Sequence, residues 1–131
     1  MNLAYNTKVF AVAQATTADA ANVAVEVDMA GWDGCYFLGI AGSTAVTAHT
    51  MTISTAASTT ASFVNCTGAT KATTSGNDFA VVDVYRPRKR WLKGTFSSTA
   101  NSKKAMVAIQ YCGRAANLSS TYDTIVVSPA T

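Results

Sequence analysis

The stretch Phe79-Ala-Val-Val-Asp-Val-Tyr-Arg-Pro-Arg-Lys-Arg-Trp-Leu-Lys-Gly-Thr-Phe96 sets the reading of the whole chain. Up to Tyr85 it is apolar and β-branched around a single Asp83, which suits a strand with a buried face. The chemistry then changes: five of the ten basic residues, Arg86, Arg88, Lys89, Arg90 and Lys93, fall within eight positions. Pro87 removes an amide donor and biases Arg86 toward an extended conformation, so the segment is expected to leave the sheet, or run along its edge, before Trp91 re-enters it. The expected product is a rigid bend that displays guanidinium groups.

Outward from this stretch the same two-residue period recurs. Val23, Val25, Val27 and Met29 alternate with Ala24, Glu26 and Asp28, as in a strand with one solvated face. Ala30-Gly31-Trp32-Asp33-Gly34 supplies a turn, and Cys35-Tyr-Phe-Leu-Gly-Ile40 follows as a continuous apolar run that reads as a strand buried on both faces. These two strands are expected to form a hairpin. His49 to Ala57 alternates again. Lys104 to Cys112 puts Ala105, Val107, Ile109 and Tyr111 on one face and Met106, Ala108 and Gln110 on the other.

Residues 59–78 are poor in large apolar side chains and read as a long loop with one short strand around Phe63-Val64. Leu3 to Gln14 reads as a first strand or an arm, Tyr122 to Ser128 as a last strand, and a helical period is faintly visible only over Ala15–Ala21. Seven to nine short strands in one chain of 131 residues predict a single all-β domain, an antiparallel β-sandwich or jelly-roll-like barrel. Residues 1–20 form its N-terminal strand or arm and residues 21–131 the sandwich.

Composition narrows the function classes. Ala, Ser and Thr make up about two-fifths of the chain while 13% is charged, well under the roughly 25% of an average domain. Much of the surface must therefore consist of small hydroxyl and methyl groups, which suits close packing against neighbours. The net charge of +3 is local to the basic cluster, so a nucleic-acid coat is not indicated. Cys35, Cys66 and Cys112 form no C-x-x-C pair, and reduced, buried, inert thiols are the expectation. The N-terminus lacks the basic start and apolar run of a secretion signal, which predicts a chain made and kept in a cytosol.

Catalysis has little to stand on. His49 is the single histidine and has no neighbouring Cys or paired carboxylate in sequence, and the isolated cysteines do not make a zinc site. Asp28 and Asp33 bracket a turn, where a carboxylate usually accepts from a backbone amide. No glycine-rich phosphate loop is present. Neither an enzyme nor a cofactor or metal is expected. The five cations beside Tyr85 and Trp91 carry a self-repulsion that an anionic partner or an internal carboxylate must offset, and Arg suits carboxylate forks at protein interfaces.

Four blocks, Val27–Leu38, Val82–Lys93, Ala108–Tyr111 and Val126–Pro129, resemble small head structural proteins of tailed bacteriophages, of the capsid decoration or cement type. Nothing matches over Gly42–Thr74 or Cys112–Ala116. The resemblance implies a β-rich virion protein, made in the host cytoplasm, that binds the outer capsid surface as a homotrimer and stabilises the shell by bridging capsomers. Its partners would be the major capsid protein and itself, with no small-molecule substrate and no membrane. Arg86, Arg88, Lys89 and Arg90 would meet acidic capsid groups, with Trp91 packed beside them. The competing readings are a carbohydrate- or receptor-binding sandwich that stacks ligands on Trp32, Tyr36 or Trp91, and a head-completion or tail component. Nucleic-acid binding ranks last.

Overall fold

The computed structural model describes residues 7–14, 22–42, 48–73, 78–99 and 103–113. They form eight strands: β1 (Thr7–Gln14), β2 (Asn22–Asp28), β3 (Trp32–Gly42), β4 (His49–Ala56), β5 (Val64–Ala72), β6 (Asp78–Tyr85), β7 (Trp91–Ser98) and β8 (Lys103–Gly113). Two four-stranded sheets result, in the orders β1-β8-β3-β6 and β2-β7-β4-β5, and every pairing is antiparallel. The logic of the order is a long hairpin. β4 pairs with β5, β3 with β6, β2 with β7 and β1 with β8, and the β3–β8 and β4–β7 pairings close the rolled ribbon into two layers. This is a jelly roll, the two-sheet form of the all-β architecture expected from the strand pattern.

The core lies between the layers. Val23, Val25 and Val27 of β2, Phe37 of β3, Met51 and Ile53 of β4, Leu92 and Phe96 of β7, and Met106 and Ala108 of β8 are all buried in it. On β8 the even-numbered side of the alternation turns inward and Ala105, Val107, Ile109 and Tyr111 turn out.

Three expectations are corrected. Residues 22–29 and 35–40 do not make a hairpin: β2 pairs with β7, whereas β3 pairs with β6 and β8 in the other sheet. The turn between them, where Gly31 takes φ of 83°, crosses from one layer to the other, and a tight glycine turn serves either connection. The Thr-rich segment is not mainly loop, because β5 spans nine of its residues. β5 is an edge strand exposed along most of its length, so it carries no apolar alternation to betray it. Finally, β3 is not buried on both faces: Phe37 and Cys35 are enclosed, but Ile40 is 50% exposed and nothing in the chain's described residues covers that side. The expected strand at 122–128 and the faint helical period at 15–21 lie outside the described residues.

Candidate functional site

The basic stretch occupies the β6–β7 connection at one end of the sandwich. Arg86 to Arg90 leave the sheet between Tyr85 and Trp91, as the sequence predicts. Arg86 is not extended, however. It takes φ of 51°, a left-handed conformation that costs a residue with a Cβ roughly 1–2 kcal/mol, and its amide donates to the Asp33 carbonyl at 2.7 Å. That bond explains the departure from the bias set by Pro87: the loop is tied to the start of β3 at its first residue.

The other end of the loop is tied as firmly. Arg90 forks onto Asp28, Nε donating to Oδ1 at 2.8 Å and Nη2 to Oδ2 at 2.7 Å, and the Met29 amide donates to the Arg90 carbonyl at 2.8 Å. Asp28 also accepts from the Ala30 amide at 3.0 Å, the turn role expected of it. The Arg90 guanidinium, helped by that amide, holds the Asp28 carboxyl below its ordinary value against the opposing effect of burial. From the opposite sheet, buried Gln110 donates to the Asp28 carbonyl at 2.6 Å. Lys93 pairs with Glu26 at 3.0 Å further along the same sheet face.

The internal carboxylates therefore neutralise two of the five cations, and the structure separates a bracing pair from a free group. Among the described residues no carboxylate forms an ion pair with Arg86, Arg88 or Lys89, all of which are exposed. Arg86 lies over the Tyr85 ring at 5.2 Å from its centroid and Arg90 over the Trp91 ring at 5.9 Å. Trp91 itself is half-buried at the head of β7, its carbonyl accepting from Thr55 Oγ1 at 3.1 Å. The loop forms a ridge between two clefts. One, of about 370 Å³, runs between the ridge and the β2–β3 turn and reaches Trp32; the other, of about 540 Å³, is floored by Thr55, Cys66, Thr67 and Val84.

The aromatic residues considered as sugar platforms are less available than a stacking site requires. Trp32 packs on the core, and its ring lies against Gly113 so closely that a Cβ there would come within 3.0 Å of it. Tyr36 and Trp91 are half-buried. His49 is fully buried and stacked on Phe96 with ring centroids 5.3 Å apart. Of the thiols, Cys35 is buried and pushed up to about 12, mainly by that burial; Cys66 is partly exposed, and Cys112 is exposed, contrary to expectation. Cys112 sits past the last inward-facing residue of β8, where the backbone turns to φ of 53°.

Sequence reasoning missed the brace. Its components, Asp28, Arg90 and Gln110, are 62 and 82 residues apart in pairs, and only the roll brings them together. A signal was nevertheless present: the blocks Val27–Leu38, Val82–Lys93 and Ala108–Tyr111, which carry the resemblance, converge on this one end of the sandwich, each supplying part of the brace.

No protein-family description matches the chain, and no curated protein matches it. Among solved structures, the PBSX exported protein XepA resembles it over 100% of this chain and 45% of that one, at 12% identity and a TM-score of 0.59. The likeness is one of fold, and the chain spans less than half of XepA's length. The carbohydrate-binding and catalytic modules of Clostridium thermocellum xylanase 10B align over 75% of this chain and 18% of that one, at 14% identity and a TM-score of 0.38, too slight an overlap to bear on the reading.

Proposed function

We propose that this chain is a structural protein of a tailed-phage virion, a decoration protein that seats its cationic ridge on acidic groups of the major capsid protein and bridges capsomers. One observation carries the reading: among the described residues Arg86, Arg88 and Lys89 stand without an acidic partner on a loop tied at both ends, while the neighbouring Arg90 is spent on the bracing. A fixed ridge loses little conformational freedom on docking, so its charges act on the partner rather than on their own ordering. The resemblance of the blocks that build this end to phage head proteins supports the same assignment.

Many copies on one shell convert modest individual contacts into firm attachment through effective concentration. Binding to the assembled shell and not to separated capsomers stabilises the shell by mass action. The test is occupancy on purified heads. Arg88→Glu with Lys89→Glu should reduce bound copies at least tenfold at moderate salt, and the residual binding of the wild type should fall as salt rises. Equal occupancy of wild type and variant rejects the ridge as the contact. Glycan binding is the second reading, favoured only by Trp32 at the edge of the smaller cleft, and a glycan array with the purified chain decides it.

A further inference from the structure

We propose that the smaller cleft is a slot for an acidic segment of the partner: a projecting stretch of polypeptide inserts an Asp or Glu side chain between the β2–β3 turn and the β6–β7 loop. The inference rests on the virion reading and narrows it, from a ridge that meets acidic groups to a recess that receives a protruding acidic peptide.

Two connections, fastened together at each end, build the slot. At one end the Met29 amide donates to the Arg90 carbonyl at 2.8 Å and the Arg90 guanidinium forks onto Asp28. At the other the Arg86 amide donates to the Asp33 carbonyl at 2.7 Å. Within the turn the Trp32 amide donates to the Met29 carbonyl at 3.0 Å, so that wall is also closed on itself. Between the fastenings, residues 30–32 and residues 87–89 line a space of about 370 Å³. Small residues keep it open. Ala30 is exposed, and at Gly31, whose φ of 83° disfavours a side chain, a Cβ would meet nothing within 4 Å. Because backbone hydrogen bonds set its width, the slot exists before anything enters it, and little ordering is lost on binding.

Charge selects the occupant. Arg86, Arg88 and Lys89 line the slot without an ion-pair partner among the described residues, and no Asp or Glu lines it. Asp28, beside it, is already taken by Arg90 and the Ala30 amide. Cations gathered on the walls of a recess focus their field into it and raise the local concentration of anions. The larger cleft shares Arg86 and Arg88 but has neither Lys89 nor Arg90, so the anion belongs in the smaller one.

Shape selects between kinds of acidic partner. A flat acidic surface reaches the crest of the ridge and leaves the recess filled with water. A protruding carboxylate replaces that water and matches the planar fork of an arginine. Trp32, half-buried in the same slot, offers an apolar wall to the residue beside the carboxylate. A nucleic-acid strand fits less well, because it binds on successive stacking platforms and Trp32 is the one aromatic residue lining the slot.

The experiment is an NMR titration of the purified full chain with a short acetylated and amidated peptide of Asp and Glu around a central Phe. Its counterpart with Asn and Gln in place of the acids serves as the control. The acidic peptide should shift the amides of residues 29–32 and 86–90 saturably and weaken as salt rises, while the neutral one should not bind. Ala30→Trp fills the slot without removing a cation and should raise the peptide dissociation constant at least about tenfold, whereas Thr67→Trp in the larger cleft should leave it within about twofold. Thermal melts of the same samples report folding, and Ala30→Leu fills part of the slot should the larger side chain not be accommodated. Occupancy on purified heads separates this inference from the reading it rests on. Loss of occupancy with Arg88→Glu and Lys89→Glu but not with Ala30→Trp overturns the slot and leaves the ridge standing; retention by both variants rejects the ridge as well. No peptide binding, shifts confined to residues 55, 66 and 67, or tighter binding of a thymidine oligonucleotide of equal charge also overturns the proposal.

Discussion

The two sheets share one core but face outward differently. The β2-β7-β4-β5 layer turns hydroxyls and the pairs Glu26–Lys93 and Asp28–Arg90 to solvent, and β2, β4 and β7 alternate cleanly between buried and exposed positions. The β1-β8-β3-β6 layer turns out Ile40, Phe79, Leu38 and Val81, and its strands alternate little. Burial inside the domain explains the inner face of each layer, whereas the outer faces record what each one meets. One is polar; the other is largely apolar.

The sharpest way to break this contrast is chemical. Cys35 sits on the inner side of the apolar layer and its thiol is pushed up to about 12 by burial, while Cys112 is exposed. A maleimide at pH 7 should label Cys112 at least roughly a thousandfold faster than Cys35, since burial both shuts Cys35 away from the reagent and suppresses its thiolate, with Cys66 between them. Comparable rates would mean that the layer is not closed on its inner side.

Next in size is Gly94→Val on β7. A Cβ there comes within 2.6 Å of the Phe37 ring, so urea unfolding should show a loss of about 1–3 kcal/mol from overpacking. The adjacent Thr95→Val, on the solvated side of the same strand, should change stability by less than about 0.5 kcal/mol. Equal effects would erase the distinction between inner and outer positions.

Gln110→Ala removes the donor that ties β8 to the Asp28 carbonyl across the layers, and should cost about 1–3 kcal/mol by the same measurement. Asp28→Asn has the smallest effect. The carboxyl is more acidic in the folded chain than in the unfolded one, so its pairing with Arg90 adds stability at every pH above about 3.9. That addition is lost as pH falls through the ordinary value toward the folded one. The variant should therefore melt a few degrees below the wild type at neutral pH and converge with it in acid. A gap that persists or widens in acid would give Asp28 another role.

What could be read without coordinates follows the same division. β2, β4 and β7 have one wet and one dry face, so their period is legible, and Pro87 with its cations marks where the chain leaves the sheet. β5 was hidden because an edge strand exposed on most positions has no dry side to declare. The partners of β2 and β3 were hidden because a turn through Gly31 looks alike whether it joins neighbours or crosses between layers. Within the candidate site, the cluster and its place on a bend were legible. Which of its members are bound internally was not, since Asp28 lies 62 residues from Arg90.

The pairing of β1 with β8 reaches beyond the folded state. Residue 7 lies opposite residue 111, so a chain emerging from the ribosome holds its first strand without a partner until almost the last described residue has been made. Pairings so distant along the chain make for slow closure and prolonged exposure of sticky intermediates. Production of this protein is therefore governed by synthesis of the complete polypeptide, and truncation before residue 103 leaves Thr7–Gln14 and Trp32–Gly42 as unsatisfied edges that invite aggregation.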